Sequence, residues 1–138
     1  MLKLTDDKMC FVCGKGNKHG LKLDFEHPEP GLLRSSVIFE KRYQGYQNIV
    51  HGGMMAVVLD EMMVNLAWVE GKPSVTGELN VRLKKPAKVG ESILLEGRIT
   101  KETDRILYAE ATAKDAGGEV IAEAKGTCVR IDVQIDNP

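Results

Sequence analysis

The chain has 138 residues, of which 43% are hydrophobic and 28% are charged, and its formal net charge is −1. This length suits one domain with a real core, so we expect a single domain over residues 1–138. Its 19 basic and 20 acidic residues are interspersed. Nucleic-acid binding needs a concentrated basic face, and we therefore expect no nucleic-acid partner.

The apolar runs are short, since Met54–Leu59 is followed at once by Asp60. A membrane-spanning helix needs about 20 predominantly apolar residues, so no membrane partner is expected. The amino terminus lacks the basic-then-apolar layout of a secretory signal. Three cysteines, an odd number, argue against a disulfide framework. These features favour a cytoplasmic protein.

The first part of the chain predicts a hairpin. Residues 1–20 are rich in turn-forming glycines and form an expected lead-in loop. Apolar and polar residues alternate over Leu21–His27, and a second strand is predicted over Leu33–Glu40. The loop 41–50 then leads to a segment of different amino-acid composition.

A long helix is predicted over Gly52–Glu70. The segment has no proline, is rich in Met, Ala, Leu and Val, and stops at Gly71. Apolar residues fall on nearly every side of this helix, which is typical of a buried helix that other elements wrap.

Four further strands are predicted to form the sheet around this helix, and two of them have small residues on the face toward it. They are predicted at Glu78–Lys84, Ser92–Lys101, Arg105–Lys114 and Glu119–Asp132. Alanine and glycine on the inner faces of the last two strands allow the helix to pack close to the sheet. The order β-β-α-β-β-β-β with short turns predicts an α+β hotdog fold, an antiparallel sheet curled around one central helix.

The strongest functional signal is His51-Gly52-Gly53 at the helix start. The first turn of a helix presents unpaired N–H groups and the positive end of the dipole, and glycines let a carbonyl approach closely. Such a site suits the oxyanion of acyl transfer. The alternative is that the two glycines only ease a tight turn into the helix.

Asp60 and Glu61 form an acidic pair within the apolar helix. Burying them is costly unless they are paired or take part in the chemistry, so Asp60 is a candidate base or nucleophile. Glu61, with Asn65 one turn on, is typical of a polar edge and is a candidate substrate-binding residue. Both could instead be plain solvated charges. Because Gly53 and Asp60 lie about 10 Å apart along one helix, an antiparallel second copy would have to bring its Asp60 to this glycine pair.

The stretch from Asn48 through His51-Gly52-Gly53 to Asp60 resembles the hotdog acyl-CoA thioesterases of the phenylacetate-pathway type, in the superfamily of 4-hydroxybenzoyl-CoA thioesterase. In that family an acidic residue lies nine positions after the motif histidine, where Asp60 stands. A hydroxyl residue commonly precedes a downstream proline by ten positions, and Thr76 occupies that place before Pro86.

The resemblance implies the role of each residue. The Gly52 N–H would hold the thioester oxygen, Gly53 would shape the helix start, and His51 would position the loop and substrate. Asp60 of a neighbouring copy would be base or nucleophile, and Thr76 would orient the water. It also implies a homodimer, or a dimer of dimers, that needs no cofactor, with coenzyme A entering only as part of the substrate.

Two features concern substrate binding. Many relatives have an asparagine six positions before the motif, where this chain has Gly45, which leaves open whether Asn48 replaces it. The resemblance also implies that Arg82, Lys84 and Lys85 meet the phosphates of coenzyme A, although a solvated strand face explains them equally well.

Other sites and functions were weighed against this hypothesis. Cys10 and Cys13 have a zinc-ligand spacing, and His19 is near, but a structural site wants four ligands and the remaining candidates are scattered, so no metal is expected. The alternative functions are a non-catalytic acyl-CoA-binding protein and a hotdog dehydratase or hydratase.

Overall fold

The computed structural model describes residues 2–136, so Met1, Asn137 and Pro138 at the ends of the predicted domain lie outside the described residues. A single turn of 3-10 helix over Lys41–Tyr43 precedes the one α-helix, α1 (Gly52–Val69). The strands are β1 (Leu2–Thr5), β2 (Glu26–Glu29), β3 (Leu32–Ile38), β4 (Ser74–Leu83), β5 (Ser92–Glu102), β6 (Ile106–Lys114), β7 (Val120–Arg130) and β8 (Val133–Asp136).

Six strands form one antiparallel sheet in the order β2-β3-β5-β6-β7-β4, and α1 packs on one face of it. This arrangement confirms the predicted α+β fold with an antiparallel sheet around one helix. The remaining strands, β1 and β8, pair in parallel at the two ends of the chain. The sequence did not predict this pair, because only long-range pairing defines it.

Small residues bring α1 directly onto the sheet, as the sequence predicted. A Cβ on Gly97 would lie 2.6 Å from the carbonyl oxygen of Met62, and one on Gly126 would lie 3.2 Å from Cε of Met63. Glycine is therefore required where helix and sheet touch. Around these contacts the sheet presents a buried floor of alanines, Ala109, Ala111, Ala113, Ala122 and Ala124.

The predicted strand over Leu21–His27 is wrong for most of its length. The first strand of the sheet is only Glu26–Glu29, and Lys22 has a φ of +52° that breaks the extended backbone. The N–H groups of Leu21 and Leu23 donate to the carbonyls of Phe11 and Val12 instead of to a neighbouring strand. The alternating pattern reflects packing of this segment on the lead-in loop, because Leu23 is buried.

Strand β4 is a free edge of the sheet in the part of the chain that the structure describes. Its backbone pairs with β7 along one edge and, within residues 2–136, with no strand along the other. Several of its apolar side chains are exposed to solvent. Val75, Leu79 and Leu83 are 39%, 40% and 54% exposed. In the described residues, one chain does not cover these side chains.

Helix α1 is, by length and composition alone, apolar enough to cross a membrane, although its individual apolar runs are short. In this fold one face of the helix is buried against the sheet by Met55, Val58, Leu59, Met62 and Leu66. It is the core helix of the domain, and this position accounts for its composition.

Candidate active site

The start of α1 leaves one backbone donor available. His51 is the N-cap residue, and its Nδ1 accepts the N–H of Gly53 at 2.9 Å. Between residues 2 and 136 no acceptor is found for the N–H of Gly52. Because the first-turn amides carry the positive end of the helix dipole, the Gly52 N–H is an available donor for an oxyanion.

A cavity of about 450 Å³ lies in front of this amide. Helix, strand β4 and the preceding loop all contribute to its wall, which includes Gly45, Tyr46, His51, Gly52, Met55, Leu83, Lys84 and Lys85. The sequence did not single out Tyr46 or Leu83 for this site. Nothing in the sequence marked Tyr46 beyond its place in the loop before the motif.

Gly45 and Asn48 differ in their relation to this cavity. A Cβ on Gly45 would be in van der Waals contact with the Cα of His51 at 3.4 Å, so this position borders the motif. Asn48 is absent from the wall, has a φ of +61° and gives its carbonyl to the N–H of Val89. Asparagine tolerates this left-handed backbone well, which is a local reason for its presence in the turn.

Asp60 lies half-buried in the middle of α1 and is fixed by a neighbour from the sheet. The hydroxyl of Thr76 on β4 donates to Asp60 Oδ1 at 2.6 Å. Cys128 stands across the ladder from Thr76, and burial, with the charge of Asp60 adding to it, raises the pKa of the Cys128 thiol to about 11. That thiol stays neutral near pH 7 and is not a nucleophile.

The available amide and the carboxylate occupy different ends of one chain's surface. Seven to eight residues of helix separate Gly52 from Asp60, a distance of about 10–12 Å. Strand β4 spans the same interval in the opposite direction, since Thr76 meets Asp60 while the Leu83 side chain lies against Gly52. Within one chain the Gly52 amide and the Asp60 carboxylate are therefore well separated.

The predicted substrate-binding side chains fall in three places. Lys84 and Lys85 border the cavity and pair with Glu123, at 3.3 Å, and Glu119. Arg82 instead faces a separate surface depression next to Asn80 and Lys125. Glu61 lies beside Cys10 and Cys13, and accepts a hydrogen bond from Asn65 at 3.3 Å.

Comparison with known proteins identifies the family. The thioesterase superfamily model matches residues 47–122, more than half of the chain. The chain belongs to the thioesterase superfamily. This family membership confirms the predicted resemblance, the hotdog fold and the enzyme class, a thioester hydrolase.

The relatives agree with this assignment. Acyl-coenzyme A thioesterase 13 of Homo sapiens is 25% identical over 109 residues, covering 77% of this chain and 78% of that protein. A solved thioesterase superfamily protein superposes with a TM-score of 0.82 and 26% identity, covering 88% of this chain and 60% of that one. A phenylacetic acid degradation-related protein from Ralstonia eutropha shares the fold, with a TM-score of 0.72, 21% identity, and coverage of 79% of this chain and 85% of that one.

The capping role of His51 gives a testable prediction. His51→Ala removes the acceptor for the Gly53 N–H and should lower the free energy of unfolding by about 0.5–2 kcal/mol. His51→Asn provides a strong N-cap residue and should restore most of that loss. Urea unfolding at one fixed protein concentration measures both. Equal losses for the two variants would contradict the capping role.

Proposed function

We propose that this thioesterase hydrolyses acyl-CoA esters to the free acid and coenzyme A. The observation that carries the proposal is the available Gly52 amide at the start of a buried helix, together with a carboxylate on the same helix that Thr76 holds in place. These two groups supply what thioester hydrolysis needs, an oxyanion donor and a base. The human relative named above is an acyl-coenzyme A thioesterase, which supports this substrate class.

The reaction follows from the chemistry of these groups. The thioester oxygen accepts the Gly52 N–H, while Asp60 takes a proton from water and the water oxygen attacks the carbonyl carbon. Collapse of the tetrahedral intermediate breaks the C–S bond, and the departing thiolate takes up the proton that Asp60 removed from water, which regenerates the carboxylate. Thr76 holds one oxygen of Asp60 and orients the water through its remaining lone pairs. Direct attack by Asp60 itself is the alternative that the same geometry allows.

The rest of the substrate would lie along the cavity at the helix start. Lys84 and Lys85 supply positive charge for the phosphates of coenzyme A, and their present partners Glu119 and Glu123 would have to release them. Coenzyme A enters as part of the substrate, and the proposed steps use no other cofactor. We place the enzyme in the cytoplasm, acting on dissolved substrate without a membrane partner.

The proposal includes a homodimer with sites shared between two copies. The free edge of β4 carries exposed apolar side chains, and such edges are normally covered or paired. Antiparallel pairing of two β4 strands about Leu79 and Asn80 would set Thr76 and Asp60 of one copy opposite Leu83 and Gly52 of the other. Two complete sites result. Two such dimers could associate further.

Asp60→Asn tests the base. The substitution keeps the size of the side chain but removes its basicity, so kcat for thiol release from a panel of acyl-CoAs should fall by about 10²- to 10⁴-fold. Asp104→Asn, which changes an exposed carboxylate between β5 and β6, is the matched control and should leave kcat unchanged. Unimpaired turnover by Asp60→Asn would refute the assignment of the base.

A pair of variants at Gly52 tests the amide. Gly52→Pro deletes the N–H at the first helical position, where proline is tolerated, and His51 already has the φ of −57° and ψ of 133° that suit a residue before proline. Gly52→Ala adds a Cβ at the same place, against the flexible end of Leu83, but keeps the N–H. We expect kcat of the proline variant to be about 10²- to 10³-fold below that of the alanine variant. Equal rates would exclude the Gly52 amide as the oxyanion donor.

A further inference from the structure

A cluster of possible metal ligands lies outside the proposed active site. The Sγ atoms of Cys10 and Cys13 and a carboxylate oxygen of Glu61 all lie within 4.8 Å of one another. The cysteines come from the lead-in loop and the glutamate from the middle of α1. We propose that these three side chains bind one zinc ion, which fastens the lead-in loop to the central helix.

The loop is folded tightly enough to present both sulfurs in a fixed arrangement. The N–H of Gly14 donates to the carbonyl of Cys10 at 2.8 Å, and that of Gly16 donates to the carbonyl of Lys8 at 2.9 Å. A Cβ on Gly14 would lie only 2.5 Å from the Lys8 carbonyl oxygen, so no other residue fits. The turn is therefore built around the Cys-x-x-Cys-Gly segment.

The glutamate is oriented by the helix that carries it. Asn65, one turn on, donates to Glu61 Oε1 at 3.3 Å, which is the kind of outer contact that orients a metal-ligating carboxylate. Among the ion pairs of the described residues, none involves Glu61. A half-buried carboxylate next to two thiols thus lacks a cationic partner, and a divalent ion would provide one.

The donor set selects the metal. Two thiolates and one carboxylate suit zinc, which is borderline soft and accepts both sulfur and oxygen ligands. Binding releases the two thiol protons to solvent. Cys10 is exposed and a cavity of about 620 Å³ borders the cluster, so water can fill the fourth position. In the absence of metal, burial and the adjacent Glu61 raise the pKa of the Cys13 thiol.

Sequence reasoning rejected zinc because it found only scattered histidines and Cys128 as further ligands. The structure supplies a third protein ligand from the helix and leaves the fourth position to water, since α1 turns Glu61 toward the loop while Asp60, about 100° around the helix, bonds Thr76. The metal site and the carboxylate of the proposed base are therefore separate, and the zinc would stabilise the fold without entering the reaction.

Cobalt titration of the full-length chain tests the proposal. Metal is removed with a chelator, the thiols are kept reduced with a non-chelating phosphine, and Co²⁺ is added. We expect one Co²⁺ per chain, a thiolate-to-cobalt charge-transfer band, displacement by Zn²⁺, and a higher Tm with zinc than without. Absence of the band in the reduced wild-type protein, or a disulfide between Cys10 and Cys13 that persists under reductant, would overturn the proposal.

Variants identify the ligands. Cys10→Ser and Cys13→Ser should each weaken zinc binding by more than about 100-fold and lose the Tm increase, since even outer-shell changes cost about 10- to 100-fold. Glu61→Gln should weaken binding by about 10- to 100-fold while keeping the charge-transfer band. Cys128→Ala and His19→Ala, matched controls from outside the cluster, should bind like the wild type. Unchanged affinity in Glu61→Gln, or lost binding in either control, would refute this ligand set.

Discussion

The two groups that we propose act on one thioester are carried on the same rigid helix, facing different parts of the surface. An α-helix cannot shorten, so the Gly52 amide and the Asp60 carboxylate stay about 10–12 Å apart whatever the side chains do. A base must come within about 3 Å of its target or act through one water. The proposed site therefore requires a second helix, and the free edge of β4 is the surface through which we propose that a second copy brings it.

The sheet makes this arrangement possible because it lets the helix lie so close. The glycines at positions 97 and 126 meet the helix backbone and Met63 directly, and the alanines around them leave no bulk between the layers. The middle of α1 is thereby fixed against β4, where Thr76 can hold Asp60, and its first turn projects to the cavity at the other end of the strand. The position of Asp60 and the position of the first helical turn both depend on this close packing of α1 on the sheet.

Much of this was predictable from the sequence, because local patterns determine it. The limits of α1, the floor of small residues and the hairpin turn at Gly118, with its φ of +83°, follow from periodicity and glycine chemistry. The pairing of β1 with β8 joins opposite ends of the chain and has no local signal. The strand predicted at Leu21–His27 failed because its alternation arises from packing against a loop rather than from a ladder.

The candidate site was predictable in its residues but not in its connections. The glycine pair at the helix start and the acidic pair within the apolar helix indicated both groups as candidates, whereas the bond between Nδ1 of His51 and the Gly53 N–H required the actual backbone. Glu61 was expected at a polar edge and does bond Asn65. The sequence did not reveal that the lead-in loop packs beside Glu61. Helix periodicity carries no information about contacts with distant segments.

The most direct test of shared sites is complementation between two inactive proteins. Gly52→Pro and Asp60→Asn chains are unfolded together, refolded and checked for mixed dimers by native mass spectrometry. In random mixing about half of the dimers are mixed, and each has one intact site of two, so activity should recover to about a quarter of the wild-type value. Verified mixed dimers with no more activity than the parent variants would contradict a site built from two copies.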